Sequence, residues 1–187
     1  GDVYKRQHMP RAHRVIFHHP NKERISMRKD LFAALILMIV AHAQADHLPD
    51  LIDLKADLTT MQDRGIPMLV FFYGSYCHYC HEAEANFLEP LSRNPEYAER
   101  MLFRRVGQDT GRIILDEQGE KILDREFARR YNVRLVPTVI FLGPDGEQLG
   151  PPVVGIANYD FYGGQIERAL RTAEACLADP MLEQCSH

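Results

Sequence analysis

Two cysteines, separated by two residues, are the strongest chemical signal in the sequence. Cys77-His78-Tyr79-Cys80 follows an apolar segment at 68–73 and opens a stretch with helical character. A helix N-terminus presents unpaired N–H groups and a positive dipole end, which stabilise a thiolate, the reactive form of cysteine. In such a pair the first thiolate attacks a disulfide and the second thiol resolves the mixed disulfide. The pattern predicts thiol–disulfide exchange.

The same residues satisfy two other patterns. With His81 they read C-x-x-C-H, the attachment motif of c-type haem, in which His81 would be the axial ligand. A Cu(I) or Zn carrier using Cys77, Cys80 and either His78 or His81 is the third interpretation. Strands predicted before the motif and at 138–142 argue against a mostly helical cytochrome, and no second ligand cluster is evident in the sequence. We therefore favour the redox pair and expect no cofactor and no bound metal.

The remaining two cysteines lie near the C-terminal end of the sequence. Cys176 and Cys185 flank Pro180 after the last predicted helix. We interpret them as a structural disulfide that fixes the tail, in preference to two thiols. His47 lies near the start of the predicted mature chain, and we expect it to be solvated.

Periodicity and turn residues predict an alternation of helices and strands. Pro49-Asp50 opens the first helix and Gly65 closes it, while Pro90 ends or kinks the second helix, and Asp124 caps a later one. The predicted strands are at 68–73, 102–106, 138–142 and up to 153–154, a small hairpin spans 112–123, and the last helix runs from about 160 to 177. This order indicates one α/β domain with helices covering a sheet.

Three segments together resemble the thioredoxins. Residues 71–80 are similar to their strand, active-site loop and helix, Val136-Pro137-Thr138 to their cis-proline loop, and Gly155-Ile156 to their glycine turn. With the hairpin insertion around 116–123, the chain resembles exported bacterial thioredoxin-related proteins over about residues 50–175. The resemblance implies a thioredoxin-like domain with a central mixed sheet of four to five strands. It also implies that Cys77 is the exposed nucleophile, Cys80 the buried resolving thiol, and Pro137 a cis residue that exposes the Val136 backbone to substrate.

The sequence departs from the thioredoxin pattern at three places around the cysteines. Tyr76 stands where thioredoxins usually carry Trp, and Phe71 occupies the position of their buried acid, with no carboxylate replacing it in that strand. His78-Tyr79 replaces Gly-Pro. A protonated His78 beside Cys77 would stabilise the thiolate and make the pair more oxidising. We expect Tyr76, His78 and Tyr79 to tune the site.

The N-terminal part has the order of a secretory signal. A basic start at 27–29, an apolar run at 31–41 and Ala43-Gln44-Ala45 predict a signal peptide over 27–45. Residues 1–26 are then expected to be a non-native or wrongly assigned N-terminal extension, and residues 46–187 the thioredoxin-like domain. That domain carries 14 Lys and Arg against 23 Asp and Glu, a formal charge of −9. Such acidity argues against nucleic-acid binding.

The predicted signal peptide and the resemblance together predict the compartment, the substrates and the electron donor. We expect a periplasmic monomer that acts on disulfides of exported proteins, with reduction favoured over oxidation. The resemblance implies a membrane thiol-transfer protein as electron donor.

Overall fold

The computed structural model describes residues 47–185, and its centre is a four-stranded mixed sheet. In spatial order its strands are β2 (Leu102–Gly107), β1 (Met68–Tyr73), β5 (Thr138–Leu142) and β6 (Val153–Val154). Strand β1 (Met68–Tyr73) pairs in parallel with β2 (Leu102–Gly107) and antiparallel with β5 (Thr138–Leu142). The short strand β6 (Val153–Val154) extends β5 in the antiparallel sense. The predicted α/β domain and its mixed sheet are thereby confirmed.

Helices cover this sheet on both faces. The helical elements of the described residues are, in chain order, α1 (Leu54–Arg64), α2 (His78–Ala83), a π-helix (Glu84–Leu88), α3 (Glu89–Arg93), α4 (Pro95–Arg100), α5 (Asp124–Arg130), a 3-10 turn (Tyr159–Phe161), α6 (Tyr162–Ala178) and a 3-10 turn (Glu183–Cys185). A separate two-stranded hairpin consists of β3 (Ile113–Leu115) and β4 (Lys121–Leu123), as predicted. No helix among residues 47–185 is long and apolar enough to cross a membrane.

The unbroken apolar run of β1 is explained by burial on both faces. Leu69 and Phe71 join one core cluster, with Leu88, Tyr162 and Ile166 from the helices on that side. Because side chains alternate along a strand, the intervening Met68, Val70 and Phe72 enter a second cluster on the opposite face. That second cluster includes Leu54 and Met61 of α1 and Phe127 of α5.

The first helix begins later than the sequence predicted. Asp53, not Asp50, is the N-cap, and its carboxylate accepts a hydrogen bond from the Ala56 N–H at 3.0 Å. The preceding residues are extended instead, and the Leu51 N–H donates to the Arg105 carbonyl at 3.0 Å. Gly65 closes the helix with a φ of 65°, as its position suggested.

The helix that follows Cys77 does not end at Pro90. It continues to Arg93, and residues 84–88 immediately before the proline wind as a π-helix in which the Glu89 N–H bonds to the Glu84 carbonyl. Proline lacks an N–H and crowds the preceding turn, so a locally wider turn accommodates it without breaking the helix.

The expected role of Asp124 as a helix cap is wrong. Leu123 is the N-cap of α5, and the Glu126 carboxylate reaches back to its N–H at 3.0 Å. Asp124 is 1% exposed and accepts from the Thr110 hydroxyl, fixing the loop after β2. The predicted extension 1–26 and signal peptide 27–45 lie outside the described residues.

Candidate active site

Cys77 begins the helix that leaves the sheet after β1. It is the N-cap of α2, with an extended backbone (φ −94°, ψ 102°), and the Cys80 N–H donates to its Sγ at 3.1 Å. Cys77 and Cys80 form a disulfide, so the site is in its oxidised form. Since helical structure continues without interruption to Arg93, the nucleophilic sulfur lies at the positive end of a long helical dipole.

The two sulfurs differ in exposure. Cys80 is 3% exposed and packs in the core cluster with Phe71, whereas Cys77 is only partly buried. Tyr76 is fully exposed and Tyr79 is 65% exposed, so both aromatic rings flank Cys77 at the surface. An incoming disulfide therefore reaches Cys77 before Cys80.

The loop that carries Cys77 is held from β2. Asp109, just after that strand, accepts hydrogen bonds from the Ser75 N–H at 2.9 Å and from the Ser75 hydroxyl at 2.9 Å. The Cys77 N–H bonds to the Gly74 carbonyl at 3.2 Å, which closes the turn. These bonds fix the backbone that presents the thiol.

The Val136-Pro137-Thr138 segment lies against the same loop. The Val136–Pro137 peptide bond is cis, and a Cβ placed on Gly74 would lie 3.5 Å from Val136 Cγ2 and 3.7 Å from Cys77 Cβ. The Thr138 hydroxyl donates to the Leu135 carbonyl at 2.8 Å, and the Gly155 N–H donates to the Pro137 carbonyl at 2.7 Å. The structure thus brings the predicted cysteine pair and the predicted proline loop together.

His78 is exposed and lies beside Glu82 on the same helix. Its side chain is 80% exposed, and its Nε2 lies 4.0 Å from Glu82 Oε1, one helical turn along. The Tyr159 hydroxyl also donates to Glu82, at 3.3 Å. A protonated His78 would therefore interact with the Glu82 carboxylate as well as with a Cys77 thiolate, so its effect on the thiolate would be weaker.

A cavity of about 240 Å³ lies behind the disulfide. Its walls include both cysteines, Tyr73, Gly74, Ser75, His47, His81, Glu84 and Arg105. Its lining includes the charged side chains of Glu84 and Arg105, and it is large enough to hold several waters.

A buried ion-pair cluster forms the polar side of this cavity. Glu84 is 4% exposed, and its Oε1 lies 3.2 Å from Arg105 Nη1 and accepts the Leu48 N–H at 2.9 Å. Arg105 also donates to Asp50 at 2.9 Å and lies over the Tyr73 ring, 5.0 Å from its centroid. A buried carboxylate is thus paired with a cation and a backbone donor, as burial requires.

The ionisation of this cluster follows from these contacts. Burial lowers the pKa of Arg105, but the Glu84 and Asp50 carboxylates outweigh it and raise that pKa above its ordinary value. Burial likewise raises the pKa of Tyr73, with Arg105 opposing the shift. Arg105 therefore stays charged and Tyr73 stays neutral near neutral pH.

Sequence reasoning missed three residues of the site and one contact of a fourth. Glu84, Arg105 and Asp109 were not predicted. His47 is exposed, as expected, but its Nδ1 also lies 3.3 Å from Glu84 Oε2, a contact that was not predicted. Glu84 alone carried a usable signal, because it follows Cys80 by four residues and so shares its helix face. Phe71, in the place of a buried acid, is fully buried among apolar side chains.

The second cysteine pair lies in the tail. Cys176 and Cys185 form a disulfide that joins the end of α6 to the last 3-10 turn. Cys176 is 1% exposed and belongs to the core. Among the described residues these two disulfides account for every cysteine.

Comparisons with known proteins match this description. The family model described as a thioredoxin-like domain matches residues 54–162. A thioredoxin from Thermus thermophilus is 22% identical, with 74% of this chain and 98% of that chain covered and a TM-score of 0.47. The N21Q mutant thioredoxin from Halobacterium salinarum NRC-1 is 21% identical over 68% and 96% of the two chains, with a TM-score of 0.42. The reduced Schistosoma mansoni thioredoxin pre-protein is 25% identical over 64% and 98%, with a TM-score of 0.41. No curated protein gives a significant match.

The family match covers more than half of the 187 residues and contains the Cys77–Cys80 pair, β1, β2 and β5. The chain belongs to the family of thioredoxin-like domains, and its paired cysteines make it a thiol–disulfide oxidoreductase.

Proposed function

We propose that this protein reduces disulfide bonds of exported proteins in the periplasm. The observation that carries the proposal is the arrangement of the Cys77–Cys80 redox pair. Cys77 is accessible at the start of a helical stretch, Cys80 is buried behind it, and the Val136-Pro137 loop is adjacent. Cys77 attacks the substrate disulfide as a thiolate, and Cys80 then releases the reduced substrate.

The surroundings of His78 favour reduction over oxidation. A cation beside Cys77 stabilises the thiolate, and hence the reduced form, which makes a couple more oxidising. In this chain Glu82 lies 4.0 Å from the imidazole and competes for its charge. The stabilisation of the Cys77 thiolate is therefore weaker, and the Cys77/Cys80 couple is a better reductant than it would be without Glu82.

Substrate binding uses the surface around Cys77. The Val136 backbone pairs with an extended substrate segment, in the manner of an added strand, while Pro137 and Thr138 hold the loop in place. Tyr76 and Tyr79, which lie close to Cys77 in the chain, supply exposed aromatic area. No single side-chain pocket is required, so the substrate class is broad.

Export rests on the sequence at 27–45. Removal of this segment would leave a mature chain that begins at Asp46 and works as a monomer, recharged by a membrane thiol-transfer protein. Intact-mass analysis of the secreted protein tests the proposal. A mature mass that starts at Asp46 is expected, and a mass that retains residues 31–41 would contradict export by this signal.

The reduction potential of the Cys77/Cys80 couple tests the direction. Equilibration with glutathione or dithiothreitol buffers, read by alkylation and mass, is expected to give a value nearer the roughly −270 mV of thioredoxin than the roughly −120 mV of a strong oxidant. Turnover of a protein disulfide with dithiothreitol as electron source is the matching activity assay. A potential near −120 mV would reverse the proposed direction but leave the exchange chemistry intact.

The haem alternative has a simple test of its own. Protein purified from a host that attaches c-type haem is expected to be colourless. A Soret band that survives denaturation would replace the oxidoreductase proposal with a cytochrome. The α/β fold around the motif favours the first outcome.

A further inference from the structure

Exposed apolar side chains are concentrated around the active site. Nine large hydrophobic residues are exposed among residues 47–185, and six of them lie on the active-site helix, the cis-proline loop or segments in contact with these two elements. The six are Tyr76, Tyr79, Leu135, Val154, Tyr159 and Phe161. Single exposed apolar residues are common on any protein, whereas a group of them marks a surface that contacts another molecule.

The 3-10 turn Tyr159–Phe161 packs against the active-site helix. The Tyr159 hydroxyl donates to Glu82 at 3.3 Å, and the Tyr159 ring meets the Phe87 ring edge-on, with centroids 4.9 Å apart. Glu82 lies one helical turn beyond His78, whose Nε2 is 4.0 Å from Glu82 Oε1. The turn and the first residues of the helix therefore form one continuous surface.

Phe161 is the exposed end of this turn, and the backbone on both sides of it is held in place. Asn158 precedes the turn and accepts a hydrogen bond from the Asp160 N–H at 3.0 Å. Tyr162, the next residue, is fully buried in the core, while Phe161 itself is 64% exposed. A large apolar side chain on a fixed backbone loses little conformational entropy when it contacts a partner, which favours binding.

This surface carries acidic groups and lacks basic ones. No lysine or arginine occurs at 65–92, which includes the active-site helix, or at 135–167, which includes the proline loop and the turn. Glu82 is partly exposed and Asp160 is exposed. Arg105 reaches the site from β2 but is already paired with carboxylates. The basic residues that bound the two stretches are Arg64, Arg93, Arg134 and Arg168. The surface is therefore complementary to a segment that is both apolar and basic.

We propose that the turn at 159–161 and Glu82 bind the substrate segment beside the cysteine that Cys77 attacks, and select segments in which an apolar residue is accompanied by lysine or arginine. This inference rests on the proposed function and narrows its substrate class. The exchange steps themselves are unchanged, because the surface acts only by holding the substrate segment in place.

The side chains of this surface divide the recognition between them. Tyr159 and Phe161 contact the apolar side chain of the substrate, and Glu82 and Asp160 attract its cation. The Val136 loop binds the substrate backbone, which is the same in every sequence. The turn and Glu82 thus supply a selectivity that the loop does not provide.

A pair of peptide substrates tests this selectivity without any variant. Each peptide carries a leucine and one cysteine bound to thionitrobenzoate as a mixed disulfide, with either lysine or glutamate at the same third position. Release of thionitrobenzoate gives the rate with the reduced protein, and each rate is divided by the rate with dithiothreitol. The lysine peptide is expected to react about fivefold to twentyfold faster at low salt, and sodium chloride should reduce this advantage by screening the charges. Equal normalised rates would overturn the proposal.

Removal of the acidic groups tests where the selectivity arises. Glu82→Gln and Asp160→Asn are each expected to lower the lysine-to-glutamate rate ratio about twofold or more. A change in reduction potential affects both peptides alike, so the ratio reports binding. Glu120→Gln, which removes an exposed carboxylate from the β3–β4 turn, is the matched control and should leave the ratio unchanged. An equal fall with Glu120→Gln would assign the selectivity to the net charge and overturn the proposal.

Removal of the aromatic ring tests the apolar contact. Phe161→Ser is expected to slow both peptides about threefold or more relative to bis(2-hydroxyethyl) disulfide, which is too small to reach the turn. Met181→Ser is the matched control, because Met181 is 90% exposed but lies in the tail after α6. An unchanged peptide rate in Phe161→Ser, or equal slowing in Met181→Ser, would contradict the proposal.

Two further outcomes have distinct meanings. Light scattering that shows a dimer of the unsubstituted protein and a monomer of Phe161→Ser would assign the surface to a second copy of the chain and overturn the proposal. If the unsubstituted protein does not reduce even bis(2-hydroxyethyl) disulfide, the proposed function itself fails, and this inference fails with it. Reduction of that disulfide with equal rates for the two peptides would leave the proposed function standing and remove only the selectivity.

Discussion

The two disulfides of this protein are the same bond in opposite surroundings. Cys77–Cys80 spans three positions at the start of a helix, beside a polar cavity and next in the chain to two exposed tyrosines. Cys176–Cys185 spans nine positions at the end of α6, with one sulfur in the apolar core and the other against the Asp179 carbonyl. The first is placed to react, and the second to hold the tail.

The difference shows that the surroundings, not the cysteines, set the chemistry. A thiolate needs donors or positive charge to be stable, and Cys77 has the N-terminal N–H groups of a helix. Cys176 sits one turn from the C-terminal end of α6, where the helix dipole is negative and disfavours a thiolate. Exchange is therefore favoured at one disulfide and opposed at the other.

The sharpest test of this contrast removes the nucleophile. Cys77→Ser is expected to abolish disulfide exchange, and Cys80→Ser to trap stable mixed disulfides with substrates, because only Cys77 is accessible for the first attack. Non-reducing electrophoresis and mass spectrometry of the adducts check both outcomes. Adducts trapped by Cys77→Ser in place of Cys80→Ser would reverse the assigned roles.

Loss of the tail disulfide is expected to affect stability and not activity. The double variant Cys176→Ser/Cys185→Ser should lower the free energy of unfolding by roughly 2–3 kcal/mol, the loop-closure contribution of so short a loop. Denaturant unfolding measures the loss, and single-turnover exchange should match that of the unsubstituted protein. A comparable loss of exchange activity would show that the two regions are coupled.

Stepwise reduction compares the two bonds within one molecule. Under limiting dithiothreitol, Cys77–Cys80 is expected to open at least about tenfold faster than Cys176–Cys185. Dithiothreitol attacks the accessible Cys77 sulfur and displaces Cys80, and Cys77 then leaves as a stabilised thiolate when the second thiol of dithiothreitol closes the ring. Differential alkylation followed by peptide mass mapping gives both rates. After full reduction at mildly acidic pH, Cys77 should also alkylate faster than Cys80. Simultaneous opening of the two bonds would remove the contrast.

The smallest expected effect belongs to His78. His78→Gly should lower the reduction potential by about 20 mV, which corresponds to about 1 kcal/mol for a two-electron couple. The sign follows because a cation favours the thiolate and hence the reduced form. Glu82→Gln should shift the potential the other way, since it removes the carboxylate that competes for the imidazole. A shift of the same sign in both variants would contradict this electrostatic account.

Local sequence patterns predicted much of the framework. The apolar runs of β1 and β5 are unbroken because both faces of each strand are buried. Both strands have the bounds that these runs predicted. Gly65 and the Asp116–Gly119 turn marked real boundaries for the same local reason, since each needs a backbone conformation that glycine adopts easily. The Cys-x-x-Cys spacing likewise identified the redox pair without any knowledge of the fold, because two sulfurs within one helical turn can bond to each other.

The polar surroundings of that pair were decided by the tertiary structure. Arg105 and Asp109 come from β2 and the loop after it, His47 comes from the N-terminal segment, and they meet near Cys77 only because β2 pairs with β1. The sequence also could not show whether Asp53 or Asp50 caps α1. Asp53 is the cap, because the Asp50 carboxylate instead forms an ion pair with Arg105 on β2, which is distant in sequence. Spacing along the chain determines which residues share a helix face or strand face, whereas contacts between distant segments depend on how the elements pack. The sequence therefore identified the reactive sulfurs, and the packing of the fold supplied the buried carboxylate and the cavity behind them.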